Sequence, residues 1–600
     1  METPPPMPMI PWPPPQVGGA QRHQDLVAMH TSVPEPPADA DRLLHALIGH
    51  ATQGISPISL ALATVDWLMH MAGAPAKWQR LAQKGWHKEL RWWDYAIRSS
   101  IGMDVPPCIK PLPQDRRFRG EAWQQWPYKL LQQAFLLNQQ WWYNATTGVD
   151  GVTEHHEQLV SFAARQLLDT MSPLNFVATN PEVLAATAAE QGLNFLRGAG
   201  YLVDDIQRRI AGRPPAGAEQ FRPGHEVAIT PGEVVYRNGL IELIQFSPAT
   251  PTVFAEPVLI VPAWIMKYYI LDLSPHNSLV RYLLGQGHTV FIISWHNPTA
   301  DDRDLNLNDY LENGVLAAVD VVRALVPGQR VNAAGYCLGG TLLAMAAATL
   351  ACTDSKVLNT MTLLAAQTDF SEAGELSLFI DESQVTWLED LMWEQGFLDN
   401  RQMAGAFRLL RSNDLVWSIA VEQYLLGRRP PMTDLLAWNA DTTRMPYRMH
   451  SDYLRHLFLH NDLFAGRYRV AGRPIALTDV ELPIFAVATM TDHVSPWRSV
   501  HRIHLLAACD IAFLLTSGGH NAGIISEPGH RGRHFYSMER HRGDCYIDAD
   551  TWLAEARLHD GSWWPSWTGW LARHTHGERV PARTVGPSLA PAPGTYVLER

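Results

Sequence analysis

Apolar positions fall into two regimes along the 600 residues. From about residue 41 to 222 they recur at helical intervals. In LLQQAFLLNQQWW (130–142), Leu130, Ala134, Leu137 and Trp141 share one helix face. NPEVLAATAAEQGLNFLRG (180–198) opens with Asn180 as N-cap and Pro181 at the first helical position. Near residue 223 the pattern changes. EVAITPGEVVYRNGLIELIQFSP (226–248) predicts two strands around an Asn238-Gly239 turn. Short, uniformly apolar runs then alternate with helical stretches: VLIVP (258–262), TVFIISW (289–295), VNAAGYC (331–337), TMTLLAA (360–366), IFAVATM (484–490) and IAFLLTSG (511–518). Such runs suit strands buried on both faces of a parallel sheet. Between about 372 and 478 the alternation lapses into helix and loop, which predicts a lid inserted over the sheet. Residues 1–40, rich in proline, predict a disordered arm. The expected organisation is an arm (1–40), a helical domain (41–222) and an α/β domain (223–600) with a lid.

Composition narrows the function. A formal net charge of −12 argues against a protein that works by neutralising nucleic-acid phosphates. Five cysteines with no C-x-x-C spacing predict neither a disulfide framework nor a structural zinc site. There is no H-E-x-x-H and no G-x-x-x-x-G-K-[ST], and EHHEQ (154–158) reads as helix surface, so no metal and no cofactor are expected. The N-terminus lacks the regions of a secretory signal. ISPISLALATVDWLMHMAG (55–73), the segment closest to a spanning helix, is broken by Pro57, Asp66 and His70. A cytoplasmic protein without a transmembrane segment is expected.

The chemistry centres on GYCLGG (335–340), which follows an apolar strand-like run and precedes an alanine-rich helical one. A nucleophile elbow needs small residues two before and two after the nucleophile, and Gly335 and Gly339 flank Cys337 in that way. At the start of a helix a cysteine is disposed to ionise. In α/β-hydrolase chain order an acid and then a histidine follow, at the ends of later strands. Asp492 comes just after IFAVATM, and His520 just after IAFLLTSG. His493 is a weaker base, because it would have to turn back on the acid beside it, and Asp510 lies at the wrong end of its strand. The backbone N–H of Leu338 and one at Trp264 or Ile265, in the loop after VLIVP, are the oxyanion-hole candidates.

Several separated blocks then coincide with one family. GYCLGGT, WI-x-KYYILDLSP (264–275), NSLVRYLLGQGHTVFIISWHNP (277–298), DHVSPW (492–497), SGGHNAGI (517–524) and GSWWPSW (561–567) resemble a polyhydroxyalkanoate synthase. So do FRGEAW (118–123), SPLNFVATNPEVL (172–184) and LLAWNADTTRMP (435–446), and the likeness runs from about residue 44 to the C-terminus. The resemblance implies an α/β-hydrolase-type, mostly parallel sheet, with Cys337 as nucleophile, His520 as general base and Asp492 orienting it. It implies an (R)-3-hydroxyacyl-CoA substrate, a growing polyester granule as partner and location, and a homodimer. Met266 departs from it, standing where the family pattern has asparagine.

Two other functions fit the same scaffold: an acyl-CoA thioesterase or polyester depolymerase, and a non-catalytic granule-binding protein. The 22 tryptophans include pairs at 92–93, 141–142 and 563–564, expected mainly in the core, with contact to a hydrophobic granule as the other reading.

Overall fold

The structure, a computed structural model, describes residues 38–600 apart from 53, 113–114, 354–355, 400–401, 403–404, 406–411 and 578. The arm expected over 1–40 therefore lies outside the described residues, save 38–40, which belong to helix α1 (Ala38–Ala51). Helices α2 (Pro57–Ala72), α3 (Pro75–Ser100), α4 (Tyr128–Thr146), α5 (Glu154–Thr170), α6 (Pro181–Ala189) and α7 (Leu193–Ile210) follow. Asn180 caps α6, its side chain accepting from the N–H groups of Glu182 and Val183 at 2.9 and 3.2 Å. The helical run breaks at Gln191 and Gly192, both at positive φ, before α7 begins.

The main sheet has eleven strands, numbered here in chain order: β1 (Gly232–Arg237), β2 (Ile241–Phe246), β3 (Val258–Val261), β4 (Val290–Trp295), β5 (Val331–Tyr336), β6 (Leu358–Leu364), β7 (Ile484–Thr489), β8 (Ile511–Thr516), β9 (His534–Arg540), β10 (Arg557–Asp560) and β11 (Ala590–Pro591). Their spatial order is β10-β9-β8-β7-β6-β5-β3-β4-β2-β1-β11. The six strands from β8 to β4 pair in parallel and the flanking ones antiparallel. Every residue of β3, β4, β5, β7 and β8 is buried, as uniformly apolar runs require when helices cover both faces. From β3 the chain crosses to one side and from β5 to the other, so the loops leaving these neighbours diverge and open a crevice at their C-terminal ends.

Between β6 and β7 the chain leaves the main sheet and builds the lid, which includes α9 (Glu382–Gln395) and the short helix α10 (Asp434–Asn439). The helical domain grips the lid at several points. His45 meets Asp390 at 2.7 Å, and Gln384 bridges the N–H of Ser56 and the carbonyl of Gly54 at 2.8 and 2.7 Å. His155 reaches Asp381 at 3.3 Å and His156 reaches Asp66 at 2.6 Å, so the histidines read as plain helix surface join separate elements. Further on, Arg429 pairs with Asp204 and Asp205 at 2.9 and 2.8 Å. There α7 lies so close that a Cβ on Gly198 would sit 2.0 Å from the carbonyl oxygen of Tyr424.

Trp552, Trp563, Trp564 and Trp567 are fully buried, whereas Trp78, Trp86 and Trp93 on α3 are exposed. The 563–564 pair is thus core, and among the described residues the exposed tryptophans lie on the helical domain.

Four histidines carry a consequence for acid stability. Burial, the dominant cause for each, lowers the pKa of His288, His450 and His501 to about 4 and of His504 to about 3. In the unfolded chain they titrate near 6.5, so between 6.5 and about 4 the unfolded state binds more protons. Their contribution is complete above 6.5 and is lost as pH falls. The unfolding midpoint is expected to drop by on the order of 10 °C between pH 7 and 5. A midpoint that stays level over that range in a thermal-shift titration contradicts this.

Candidate active site

The elbow forms where β5 runs into α8 (Leu338–Thr353). Cys337 sits at φ +52°, the left-handed conformation that a sharp strand-to-helix turn imposes and that costs a non-glycine residue energy. Its N–H donates to the carbonyl of Leu364 at 2.8 Å, and its carbonyl accepts from Gly340 at 2.9 Å. The glycines are there for space. A Cβ on Gly335 would fall 2.4 Å from the Cα of Gly340; one on Gly339 would fall 2.2 Å from the carbonyl oxygen of Val261 and 2.5 Å from that of Pro262. Because backbone cannot swing aside, Gly339→Ala is expected to cost several kcal/mol and at least about a hundredfold in activity. Thermal unfolding and turnover measured together check this, and wild-type values in both would contradict it.

The same close approach brings the start of the β3 loop against the elbow. Leu338, the first residue of α8, follows the nucleophile there, and Trp264 and Ile265 lie three and four residues beyond Val261 in the loop. The lid is stitched onto this loop. Thr443 donates its hydroxyl to the carbonyl of Trp264 at 2.7 Å and its N–H to that of Ile265 at 3.3 Å. Trp438 donates to the carbonyl of Lys267 at 2.8 Å, and Tyr269 donates to Asp441 at 2.8 Å. Met266, the residue that departs from the family pattern, bridges to Thr442 and so lies in the seam between loop and lid. From below, buried Lys267 donates to the carbonyls of Tyr596 and Glu599 at 3.1 and 2.8 Å.

Asp492 and His520 follow the ends of neighbouring parallel strands β7 and β8 and meet at the crevice. His520 Nδ1 lies 2.8 Å from Asp492 Oδ2. That oxygen also accepts from the hydroxyl of Thr489 at 2.9 Å, and Oδ1 accepts from the N–H groups of Val494 and Ser495, each at 2.9 Å. Burial opposes ionisation of Asp492, but the His520 charge and these hydrogen bonds outweigh it and leave the pKa below the ordinary carboxylate value. Burial likewise disfavours a charge on His520. The nearness of Cys337 and the Asp492 carboxylate hydrogen-bonded to it prevail and hold its pKa well above the usual histidine value. The partner of the acid is therefore His520 rather than the adjacent His493.

Aromatic side chains pack beside the elbow cysteine. Tyr453, whose ionisation is suppressed by burial and by the nearness of Cys337, packs edge-on to Trp264 with centroids 5.8 Å apart and contacts Phe458 at 5.3 Å and Phe370 at 6.2 Å. Three residues escaped the sequence reading although all of them sit inside its motifs. Tyr336, just before the cysteine, donates its hydroxyl to Asn521 Oδ1 at 2.5 Å, and Asn521, just after the histidine, donates to Asn439 Oδ1 of the lid at 3.3 Å. Only the fold brings these together. On the lid surface His456, His460 and Asp462 hold ligand atoms within 4.8 Å of one another, enough for one divalent ion. Asp462 is already engaged by His456 at 2.8 Å and by Arg467 at 3.0 Å. Among the described residues no helix is long and apolar enough to cross a membrane.

Comparison with known proteins agrees over most of the chain. Residues 114–283 match the family described as Poly-beta-hydroxybutyrate polymerase (PhaC) N-terminus, and residues 35–77 match Poly-beta-hydroxybutyrate polymerase N terminal. Residues 256–522 match the alpha/beta hydrolase fold. The chain is 41% identical to a Poly(3-hydroxyalkanoate) polymerase of Methylorubrum extorquens, over 84% of each chain. It is 38% identical to the Poly(3-hydroxyalkanoate) polymerase subunit PhaC of Rhizobium etli, over 84% of this chain and 80% of that one. To the subunit PhaC of Cupriavidus necator it is 36% identical, over 80% of this chain and 83% of that one. With an elbow cysteine beside a histidine–aspartate pair on an α/β-hydrolase sheet, and relatives this similar over this length, the chain belongs to the poly(3-hydroxyalkanoate) polymerase family.

Proposed function

We propose that this protein polymerises (R)-3-hydroxyacyl groups from their CoA thioesters into polyester, with Cys337 carrying the acyl chain. The observation that carries the reading is the meeting of Cys337, His520 and Asp492 at the crevice between β3 and β5. His520, held basic by Asp492, takes the thiol proton as Sγ attacks the thioester carbonyl. The Cys337–acyl bond forms, the CoA carbon–sulfur bond breaks, and the proton leaves on CoA. Thioester replaces thioester, so this step costs little. His520 then takes the proton of a 3-hydroxyl, whose oxygen attacks an acyl-thioester; an oxoester forms, a carbon–sulfur bond breaks, and the proton returns to sulfur. The N–H of Leu338 and one from the Trp264–Ile265 loop receive the developing oxyanion.

A buried centre under a lid that excludes water favours transfer to a hydroxyl over hydrolysis, and the relatives named above are polymerases, so the thioesterase and non-catalytic readings are not favoured. We place the enzyme at the surface of its insoluble product, with Trp78, Trp86 and Trp93 as outward apolar side chains suited to it. Product analysis tests the reading: (R)-3-hydroxybutyryl-CoA should give free CoA together with insoluble polyester. CoA with free 3-hydroxybutyrate alone would make the protein a thioesterase.

A further inference from the structure

We propose that Tyr336 and Asn521 are positioning residues that hold His520 against Cys337, and that Asn439 ties this hold to the lid, so that the base is set only while the lid is down. The inference rests on the polymerase reading and concerns how its base is placed.

The residues flank the reacting groups in sequence: Tyr336 precedes the nucleophile and Asn521 follows the base. His520 opens a short helical turn (His520–Ile524) that begins only four residues after β8 ends. The Asp492 bond fixes one ring nitrogen but leaves the turn free to slide relative to the elbow. The Tyr336 bond to Asn521, at 2.5 Å, joins the end of β5 directly to the turn that carries the base. The Tyr336 ring also lies along that of His520, with centroids 5.7 Å apart. Tyr336 is fully enclosed, so its hydroxyl has no water to compete for it and depends on Asn521. With its carbonyl oxygen used by Tyr336, Asn521 has its amide left to donate, and it does so to Asn439, the last residue of α10. At 3.3 Å, with Asn439 exposed, this bond is the weak link of the chain. It breaks first when the lid lifts. The lid segment that follows also holds the candidate oxyanion loop through Thr443, so one movement loosens both the base and the loop.

The test pairs turnover with the rate at which iodoacetamide alkylates Cys337, read from the peptide that bears it, since Cys352 and Cys545 are exposed and also react. Tyr336→Phe keeps the ring and its packing. Tyr336→Phe and Asn521→Ala are each expected to lower kcat and Cys337 alkylation by about tenfold with KM unchanged. The double variant is expected to be no worse than either alone, because the two changes break one bond. Asn439→Ala should lower kcat several-fold with unfolding unchanged. Wild-type kcat in Tyr336→Phe, an effect confined to KM, or multiplicative losses in the double variant would overturn the positioning role. Wild-type turnover in Asn439→Ala would overturn the tie to the lid. Alkylation that is indifferent to His520→Ala as well would instead strike at the His520–Cys337 pairing itself.

Discussion

Cys337→Ala is expected to abolish CoA release and polymer formation together, a loss of at least about 10⁴-fold, while the protein stays folded. Nothing else at the elbow can take its place: Gly335, Leu338, Gly339 and Gly340 carry no nucleophile, and the hydroxyl of Tyr336 is committed to Asn521. The loss should be chemical rather than structural. Alanine pays the same backbone cost at φ +52° as cysteine does, and the hydrogen bonds at the turn are made by main chain. An unfolding midpoint within a few degrees of wild type, with turnover gone, is the expected pair of readings. Residual polymer synthesis above the limit would place the nucleophile elsewhere.

The second large effect follows from how Asp492 is held. Its Oδ1 accepts from two backbone N–H groups, so an asparagine there keeps its carbonyl oxygen on that side and turns its amide towards His520 Nδ1. An amide donates where the carboxylate accepted. His520 would then keep Nδ1 bare and place its proton on Nε2, the nitrogen that must receive the thiol proton. Asp492→Asn is expected to lower kcat by about 10³–10⁴-fold, the scale that this tautomer change costs in a serine-protease triad, with KM nearly unchanged. Steady-state kinetics across pH checks it, and a loss of less than tenfold at every pH contradicts it.

Much of this was legible in the sequence because the signals were local. The largely apolar runs mark β3 to β8, since strands covered on both faces bury few polar residues. Asn238-Gly239 marked the β1–β2 turn, where Asn238 Oδ1 accepts from the N–H groups of Leu240 and Ile241 at 2.9 and 2.8 Å. The flanking glycines mark Cys337 as the candidate nucleophile, and the chain positions of Asp492 and His520, just after β7 and β8, mark them as its candidate partners. What stayed hidden depends on contacts distant in the chain. Tyr336 and Asn521 are separated by 185 residues, and each has an ordinary reading in its own motif. The grip of the helical domain on the lid, through Gln384, Asp390 and Arg429, likewise joins segments whose own sequences say only that they are helical. The break at Gln191-Gly192 was missed because Gly192 sits in a pattern that is helical on both sides. The outward tryptophans of α3 could not be told from core ones, since periodicity places residues on a face but does not say what covers it.

The most direct measurement is mass spectrometry of the acid-quenched enzyme milliseconds after mixing with (R)-3-hydroxybutyryl-CoA. A 3-hydroxybutyryl adduct on the peptide carrying Cys337, absent from Cys337→Ala, is the expected result. CoA release at the full rate with Cys337 never acylated would contradict covalent carriage of the chain by this cysteine.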